Sequence, residues 1–550
     1  MPTSASSPGG VQSRVPVIDL VSITWRRIQV QVRCRAVGTT VDPGQLRLHR
    51  DGGSGPDAAP AGWDREGDDI VLRFNVMQGP RQLPLEPGRW RLVAVSAANA
   101  ERAAVTVAGA RSIDPSRANA VFAMDGPEFV ATPGIDPGSG GLTLDVELRP
   151  TTGTRPVAKA TPPMRRRPGP VAAWRASAEE GLFQVTFLVF RALARRTGRR
   201  ILFSSDSRAE LAGNLKMVHD RMVERGVDRD HELLSLFKEN VSTRRALRDR
   251  FRLSWLLARA DVIVIDDYQS IIYRMHDPNV RIVQLWHAVG AFKTVGYSRV
   301  GKPGGPSPYE RAHKNYTFAT VSSTADVPIY AEAFGIPESH VIPTGVPRVD
   351  RFFDPVHREA AREAAFGAFP AARGRFTILF APTFRGNGVL SATYDVGRID
   401  FAALHGLCVE KDAVCIVRMH PFVREPLRIP DHLMDRLLDG SATPLDVNDL
   451  LFAVDLLVTD YSSIVYEYSL LGRPVLFYAY DLEEYVASRD FYEPYESFVP
   501  GRIVRTFDEL LDAIRRDDYE IEKVAPFASR HFDHLDGGST DRVIDLILSQ

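Results

Sequence analysis

Two stretches of the chain repeat one pattern: a short apolar run, a polar or charged residue at its end, then a turn or helix-forming segment. The first series contains "RRILFSS", "DVIVIDD", "RIVQLWH" and "FATVSS"; the second contains "FTILFAPT", "AVCIVRMHP", "LLVTDYSS" and "PVLFYAY". Runs this short and this apolar suit strands covered on both faces, which means parallel sheets flanked by helices. The pattern predicts an α/β protein with two Rossmann-like domains, 176–350 and 351–550, joined around "IPTGVPRVDRFF" and facing one another across a cleft. Ligands of open α/β sheets bind beyond the carboxyl ends of the strands. The residues that end these runs are therefore the candidates for chemistry.

Residues 1–150 read differently. In "WRRIQVQVRCRAV", Ile28, Val30, Val32 and Cys34 alternate with Gln29, Gln31, Arg33 and Arg35, the period of a half-buried strand. Further runs follow ("QLRLHR", "DIVLRFNVM", "GRWRLVAVSA", "AAVTVAG", "EFVATPG", "LTLDVEL"), separated by Gly, Pro and Asp turns. This spacing predicts a small all-β, sandwich-like domain. It carries no catalytic constellation and reads as a packing or binding module. Residues 151–175 are rich in Pro, Thr and Arg without periodicity and read as a linker.

A helix predicted at 176–197 carries Leu182, Phe183, Val185, Phe187, Leu188, Val189 and Phe190, a group too short to span a bilayer. It is flanked by Arg165–Arg167 and Arg175 on one side and by Arg191, Arg195, Arg196, Arg199 and Arg200 on the other. Such a helix could lie on an anionic membrane surface, or be buried with solvated ends.

Composition narrows the classes. A net charge of −1 with 25% charged residues gives no basic excess for nucleic acid. The three cysteines form no CxxC pair, which argues against a disulfide framework or a structural zinc site and fits a reducing compartment. No apolar stretch suggests a signal peptide or a membrane span. The expected location is cytoplasmic.

The strand ends carry the site residues. "LLVTDYSSIVYEYSLLGRPVLFY" (456–478) predicts a strand to Thr459 and a helix from near Ser463 to Gly472. Ser462 and Ser463 then occupy N-cap positions, where free amides and the positive helix end suit a phosphate; ordinary capping would look the same. Glu467, about one turn further on, could accept from ribose hydroxyls or stand on the surface. "VCIVRMHPF" (414–422) carries Arg418 and delivers His420 before Pro421, which cannot continue a ladder. "ILFAPTFRGNG" (378–388) offers Thr383, Arg385 and Asn387. "QLWHAVGAFKTVG" (284–296) ends its run at His287, with Gly290 and Lys293 beyond it. One histidine after an apolar run is more often packed than catalytic. Two at corresponding strand ends, one in each half, point to a shared cleft.

"QLWHAVGAFKTVG", "TGVPRVD", "APTFRGN", "RMHP", "TDYSSIVYEYSLLGRPVLFYAYDLEEY" and "FVPGRIV" resemble, in this order, the motif set of the CDP-glycerol glycerophosphotransferases, the teichoic-acid polymerases and primases. The resemblance covers about 199–520. It implies a GT-B architecture, the first Rossmann half binding the acceptor and the second the CDP-activated donor. It implies transfer of glycerol phosphate from CDP-glycerol to a hydroxyl of a teichoic-acid-like polymer or its lipid-linked primer, releasing CMP. His287 matches the proposed general base, His420 the histidine near the donor phosphates, and Asp460, Ser462 and Ser463 the pyrophosphate-binding stretch. Thr383, Arg385, Arg418 and Glu467 are expected on the donor side, Lys293 and Gly290 on the acceptor side.

Ala288, Glu467, Arg502, Val346 and Val349 depart from the family's usual residues, which leaves a CDP-ribitol donor as an alternative. A nucleotide-sugar glycosyltransferase and a non-enzymatic polymer-binding protein are the competing classes. No DxD pair occurs in these motifs, so no metal or other cofactor is required. The expected partners are a CDP-polyol, a polyol-phosphate acceptor and an anionic membrane on the inner face of the plasma membrane. A homo-oligomer is compatible with the sequence.

Overall fold

A computed structural model describes residues 16–549 except 39–40, 98–99, 109–118, 124–126, 151–169, 240–244, 268, 270, 276, 303–304 and 387–390. Most of the predicted linker, and Asn387, thus lie outside the described residues. The chain divides into two compact units. One comprises the chain to Ala158 together with Val295–Lys314 and Ala331–Ser339; the other comprises Lys159–Thr294, Asn315–Tyr330 and His340–Gln550.

The first unit is a sandwich of two sheets. One runs Gly62–Glu66, Asp69–Asn75, Gln29–Ala36, Val17–Arg26, Thr106–Ala108. The other runs Leu46–Arg50, Gly88–Val95, Leu142–Arg149, Glu128–Ile135, Ala120–Ala123, with Arg102–Ala104 beside Gly88–Val95. The alternation read at 28–35 holds from Val30 onward: Val30, Val32 and Cys34 are buried, while Arg33 and Arg35 meet Asp69 outside; Gln29, expected on the outer face, is buried. Tyr297 and Val300, from far along the chain, complete this core. The strand Gly62–Glu66 was not legible because its side chains are mostly exposed and do not alternate.

The second unit holds two all-parallel six-stranded sheets. The first is ordered Glu232–Phe237, Arg200–Ser205, Val262–Ile265, Arg281–Gln284, Phe318–Thr320, Val341–Ile342. The second is ordered Leu437–Asp439, Ala413–Val417, Phe376–Phe380, Leu456–Thr459, Val475–Tyr478, Arg502–Val504. In each sheet the connections reverse direction beside the first strand in sequence, leaving a crevice at its carboxyl end. In the first sheet Ser205–Arg208 and Asp266–Asp267 flank this crevice; in the second Thr383–Arg385 and Asp460–Ser463 do. These two sheets are the Rossmann pair expected of the sequence, with the all-β region before them. The helix Ser539–Leu548 returns to the first half, where Val543, Ile544 and Ile547 pack against Ile201, Leu215, Val218 and Met222.

The predicted 176–197 helix spans Pro170–Leu193. Phe187 is buried, and Phe190 packs edge-on against Trp255 of the helix Leu247–Arg259 at 5.4 Å between ring centres. Leu182, Val185, Leu188, Val189 and Leu193 are exposed. No described helix is long and apolar enough to cross a membrane.

Candidate active site

The strand Arg281–Gln284 ends beneath His287. Gln284 Oε1 turns back to accept from the Trp286 amide (2.9 Å), and Asn214 Nδ2 donates to the Trp286 carbonyl (2.7 Å). Trp286 is thereby held at φ 51°, a left-handed conformation that a bulky residue adopts only under constraint. The result is separation of neighbours: Trp286 is buried, and the His287 side chain beside it is 46% exposed. His287 Nδ1 lies 3.5 Å from Asp267 Oδ1. Asp267 Oδ2 in turn accepts from Ser207 Oγ (2.7 Å). Next to it Asp266 is buried, 2.8 Å from Arg208, and its carboxyl is pushed up to about 6, chiefly by burial.

His287 has an open edge, yet protein walls the ring. That enclosure lowers its pKa below the ordinary imidazole value, Asp267 opposes the shift, and Arg348 and Arg208 reinforce it. A neutral imidazole at pH 7 is the form a general base requires.

Beyond His287 the chain leaves the first half and plugs into the second. Phe292 stacks on Phe491 (4.6 Å) and Phe498 (4.5 Å). The Tyr492 amide donates to the Phe292 carbonyl (3.1 Å), and the Thr294 amide to that of Asp490 (3.2 Å). Lys293, expected on the acceptor side of the first half, is carried along to the second half. Its ammonium lies over Tyr485 and is pushed down to about 8 by burial, against the pull of Asp460 and together with Arg489 and Arg385. Gly290, also expected to face the acceptor, is a packing residue. At φ 65° it takes the Tyr466 ring where a Cβ would stand, 2.1 Å from its nearest carbon, and its carbonyl accepts from Tyr330 Oη (2.7 Å).

In the second half, the crevice is built around Asp460. This buried carboxylate accepts from the Thr383 amide (2.8 Å), the Tyr461 amide (2.6 Å) and Arg385 Nη1 (2.9 Å). It fastens two strand ends together and has little capacity left for a ligand. Arg385 is equally committed: it also binds Asp481 through Nε (2.6 Å) and Nη2 (2.9 Å), and sits among the rings of Tyr394, Tyr461, Tyr480 and Tyr485. Asp460 and Arg385 are thus the scaffold of the crevice. Arg418 donates to the Leu445 carbonyl (2.8 Å) and is half-buried.

Other groups have capacity. Thr383 Oγ1 is buried with no hydrogen-bond partner among the described residues. His420 packs between Phe384 and Phe422, both 4.7 Å away, accepts from the Phe422 amide at Nδ1 (3.1 Å), and has its pKa lowered by burial and by Lys293. The helix begins at Ile464 and ends at Ser469, shorter than expected. Ser463 is its exposed N-cap and makes no side-chain cap bond, while Ser462 Oγ accepts weakly from the Ile464 amide (3.4 Å).

Glu467, expected either to meet ribose hydroxyls or to stand on the surface, is committed inside the protein. It is buried and its Oε1 accepts from Arg348 Nε (3.0 Å) and Nη2. Arg348 also donates to the His287 carbonyl, and its amide donates to Asn214 Oδ1 (3.0 Å). Arg348, Asn214, Asp267 and Ser207 were missed as site residues. Arg348 lay inside the quoted "TGVPRVD", and Asp267 inside the quoted "DD" that ends a strand; Asn214 and Ser207 carried no local signal. Among the described residues no group of three His, Cys, Asp or Glu side chains is placed to hold a metal ion.

Residues 186–549 match the model of the CDP-glycerol:poly(glycerophosphate) glycerophosphotransferases. The chain is 48% identical over 364 residues to the teichoic acid ribitol-phosphate polymerase TarK of Staphylococcus aureus, covering 66% of this chain and 71% of that one. It is 45% identical over 364 residues to TarL of the same organism, a second ribitol-phosphate polymerase, covering 66% and 65%. Among solved structures, that of the wall teichoic acid polymerase TagF superposes with a TM-score of 0.56 at 21% identity, covering 68% of this chain and 94% of that one. The chain belongs to the CDP-glycerol:poly(glycerophosphate) glycerophosphotransferase family, the teichoic acid polyol-phosphate transferases.

Proposed function

We propose that the chain transfers ribitol phosphate from CDP-ribitol to a hydroxyl of a teichoic-acid-type polymer, releasing CMP. The observation that carries the donor choice is the 48% and 45% identity to two ribitol-phosphate polymerases. The glycerol donor implied by the motif resemblance becomes the second reading, favoured by the family description itself.

In this reading His287 removes the proton of the acceptor hydroxyl as its oxygen attacks the β-phosphorus of the donor. The bond from that phosphorus to the bridging oxygen breaks, and the oxygen leaves with CMP. Phosphoryl transfer asks mainly for positioning and charge stabilisation. Lys293, His420, Thr383 Oγ1 and the hydroxyls and amides at Ser462–Ser463 supply these on the donor side, on the framework of Asp460 and Arg385. No step uses a metal.

The same reading places the enzyme on the cytoplasmic face of an anionic membrane. Its support is the exposed row Leu182, Val185, Leu188, Val189 and Leu193, followed along the chain by exposed Arg195 and Arg199, with Arg248 and Arg252 also exposed on the helix that packs against it. Arg191 and Arg196 are not part of this exposed set, because both bind Asp277.

The test is to supply the full chain with CDP-ribitol, CDP-glycerol or UDP-glucose and a polyol-phosphate acceptor, and to measure nucleotide release. CMP from CDP-ribitol at the highest kcat/KM is expected; preference for CDP-glycerol selects the second reading, and UDP release alone rejects both. His287→Ala in a folded variant lowers turnover by about 10²–10⁴-fold if His287 is the base.

A further inference from the structure

We propose that Asp267 is the positioning residue for His287, holding the ring proton on Nδ1 so that Nε2 is presented to the acceptor hydroxyl, and that Ser207 fixes Asp267 for this task. The inference rests on the transferase reading above. Its grounds are a chain of contacts that begins on one strand and ends on the next but one. Ser205 closes the strand Arg200–Ser205, and Ser205 Oγ lies 3.1 Å from Ser207 Oγ. Ser207 Oγ donates to Asp267 Oδ2 (2.7 Å), and Asp267 Oδ1 stands 3.5 Å from His287 Nδ1. Gln284 Nε2, on the strand that leads to His287, donates to the Asp267 carbonyl (3.2 Å). Asp267 is thus tied to both flanking strands, through its carboxylate on one side and its backbone carbonyl on the other.

A carboxylate at Nδ1 selects the tautomer of an imidazole and leaves the other nitrogen to do the chemistry. At 3.5 Å the pair is at ion-pair range rather than hydrogen-bond range. Contacts of this kind tighten when substrate is bound. The left-handed Trp286 immediately before the histidine shows that the backbone is also constrained at this point.

Among the described residues, the imidazole is surrounded by Asp267 and by the Asp266 backbone carbonyl, which accepts from the ring, at one strand end, by Arg208 at a second, and by Arg348 after the first sheet. Asp267 is the acidic side chain in this set that holds the ring's pKa up. Asp267→Asn removes that charge and offers either an amide N–H or a carbonyl to Nδ1, so the tautomer is no longer set.

The experiment compares wild type with Asp267→Asn, Asp267→Glu and Ser207→Ala in the full chain, by two measurements. Histidine-selective ¹⁵N spectra, assigned with His287→Gln, report the tautomer and the ring pKa without requiring turnover. Expected are an Nδ1–H form in wild type, a lower ring pKa and mixed tautomers in Asp267→Asn, and an intermediate state in Ser207→Ala. CMP release against pH is expected to show kcat falling at least about tenfold in Asp267→Asn, donor KM changing much less, the acid limb moving to lower pH, and partial rescue in Asp267→Glu. An unchanged tautomer and ring pKa in Asp267→Asn overturns the proposal. If Asp267→Asn does not fold, an unchanged spectrum in Ser207→Ala overturns it. If wild type turns over no CDP-polyol, the transferase reading fails while the spectra still decide the dyad.

Discussion

Glu467 illustrates what a single side chain becomes once the chain is folded. From its position, one turn into the helix after "TDYSS", it suggested a partner for sugar hydroxyls. In the structure it neutralises Arg348, and Arg348 Nη1 donates to the His287 carbonyl. Removing one member of a buried ion pair leaves the other uncompensated, typically at a cost of about 3–5 kcal/mol. Glu467→Ala is accordingly expected to lower the unfolding free energy of the second unit by that order, seen as a lower denaturant midpoint at unchanged slope, and Glu467→Gln by less. Equal stability of Glu467→Ala and wild type would show that Arg348 finds another anion. If His287 is the base, activity should fall along with stability, since the same guanidinium holds the His287 backbone.

The elements show how far local pattern carries an argument. The strands that end in His287, His420 and Ser462 were legible because each is a short apolar run closed by a polar residue, and that pattern has few structural solutions. The partners of those residues were not legible. Asn214 and Arg348 are separated from His287 by 73 and 61 positions, and only tertiary folding brings them together. The position of Lys293 was equally hidden: no local signal shows that Phe292 inserts among Phe491 and Phe498 and carries its neighbour into the second half.

A helix was expected at 176–197 and one spans Pro170–Leu193, but the sequence could not say which of its apolar side chains meet protein. Phe187 and Phe190 pack inward and the Leu182–Leu193 row stays outside. The double variant Val185→Glu, Leu188→Glu therefore leaves the fold intact. It is expected to abolish sedimentation with vesicles containing anionic lipid at physiological salt. Vesicle binding equal to that of wild type would reject this face as the membrane contact.

At the scale of the whole molecule, sequence order and spatial order diverge. Two segments from the middle of the chain belong to the sandwich, and the helix Ser539–Leu548 belongs to the first parallel sheet. Ile544 is fully buried there, so Ile544→Ala is expected to cost about 2–5 kcal/mol. Amide hydrogen exchange should show the loss in Ile201–Phe203 and Leu215–Met222 rather than in the sheet nearest in sequence; loss confined to 376–504 would contradict the packing. A ribosome delivers the chain from its amino end, and about 340 residues separate Ile201 from Ile544. At ordinary bacterial-to-eukaryotic elongation speeds that interval lasts roughly 20–70 s. For that time Ile201, Leu215, Val218 and Met222 lack the helix that covers them in the finished fold, so the first half completes its core only when the last residues emerge.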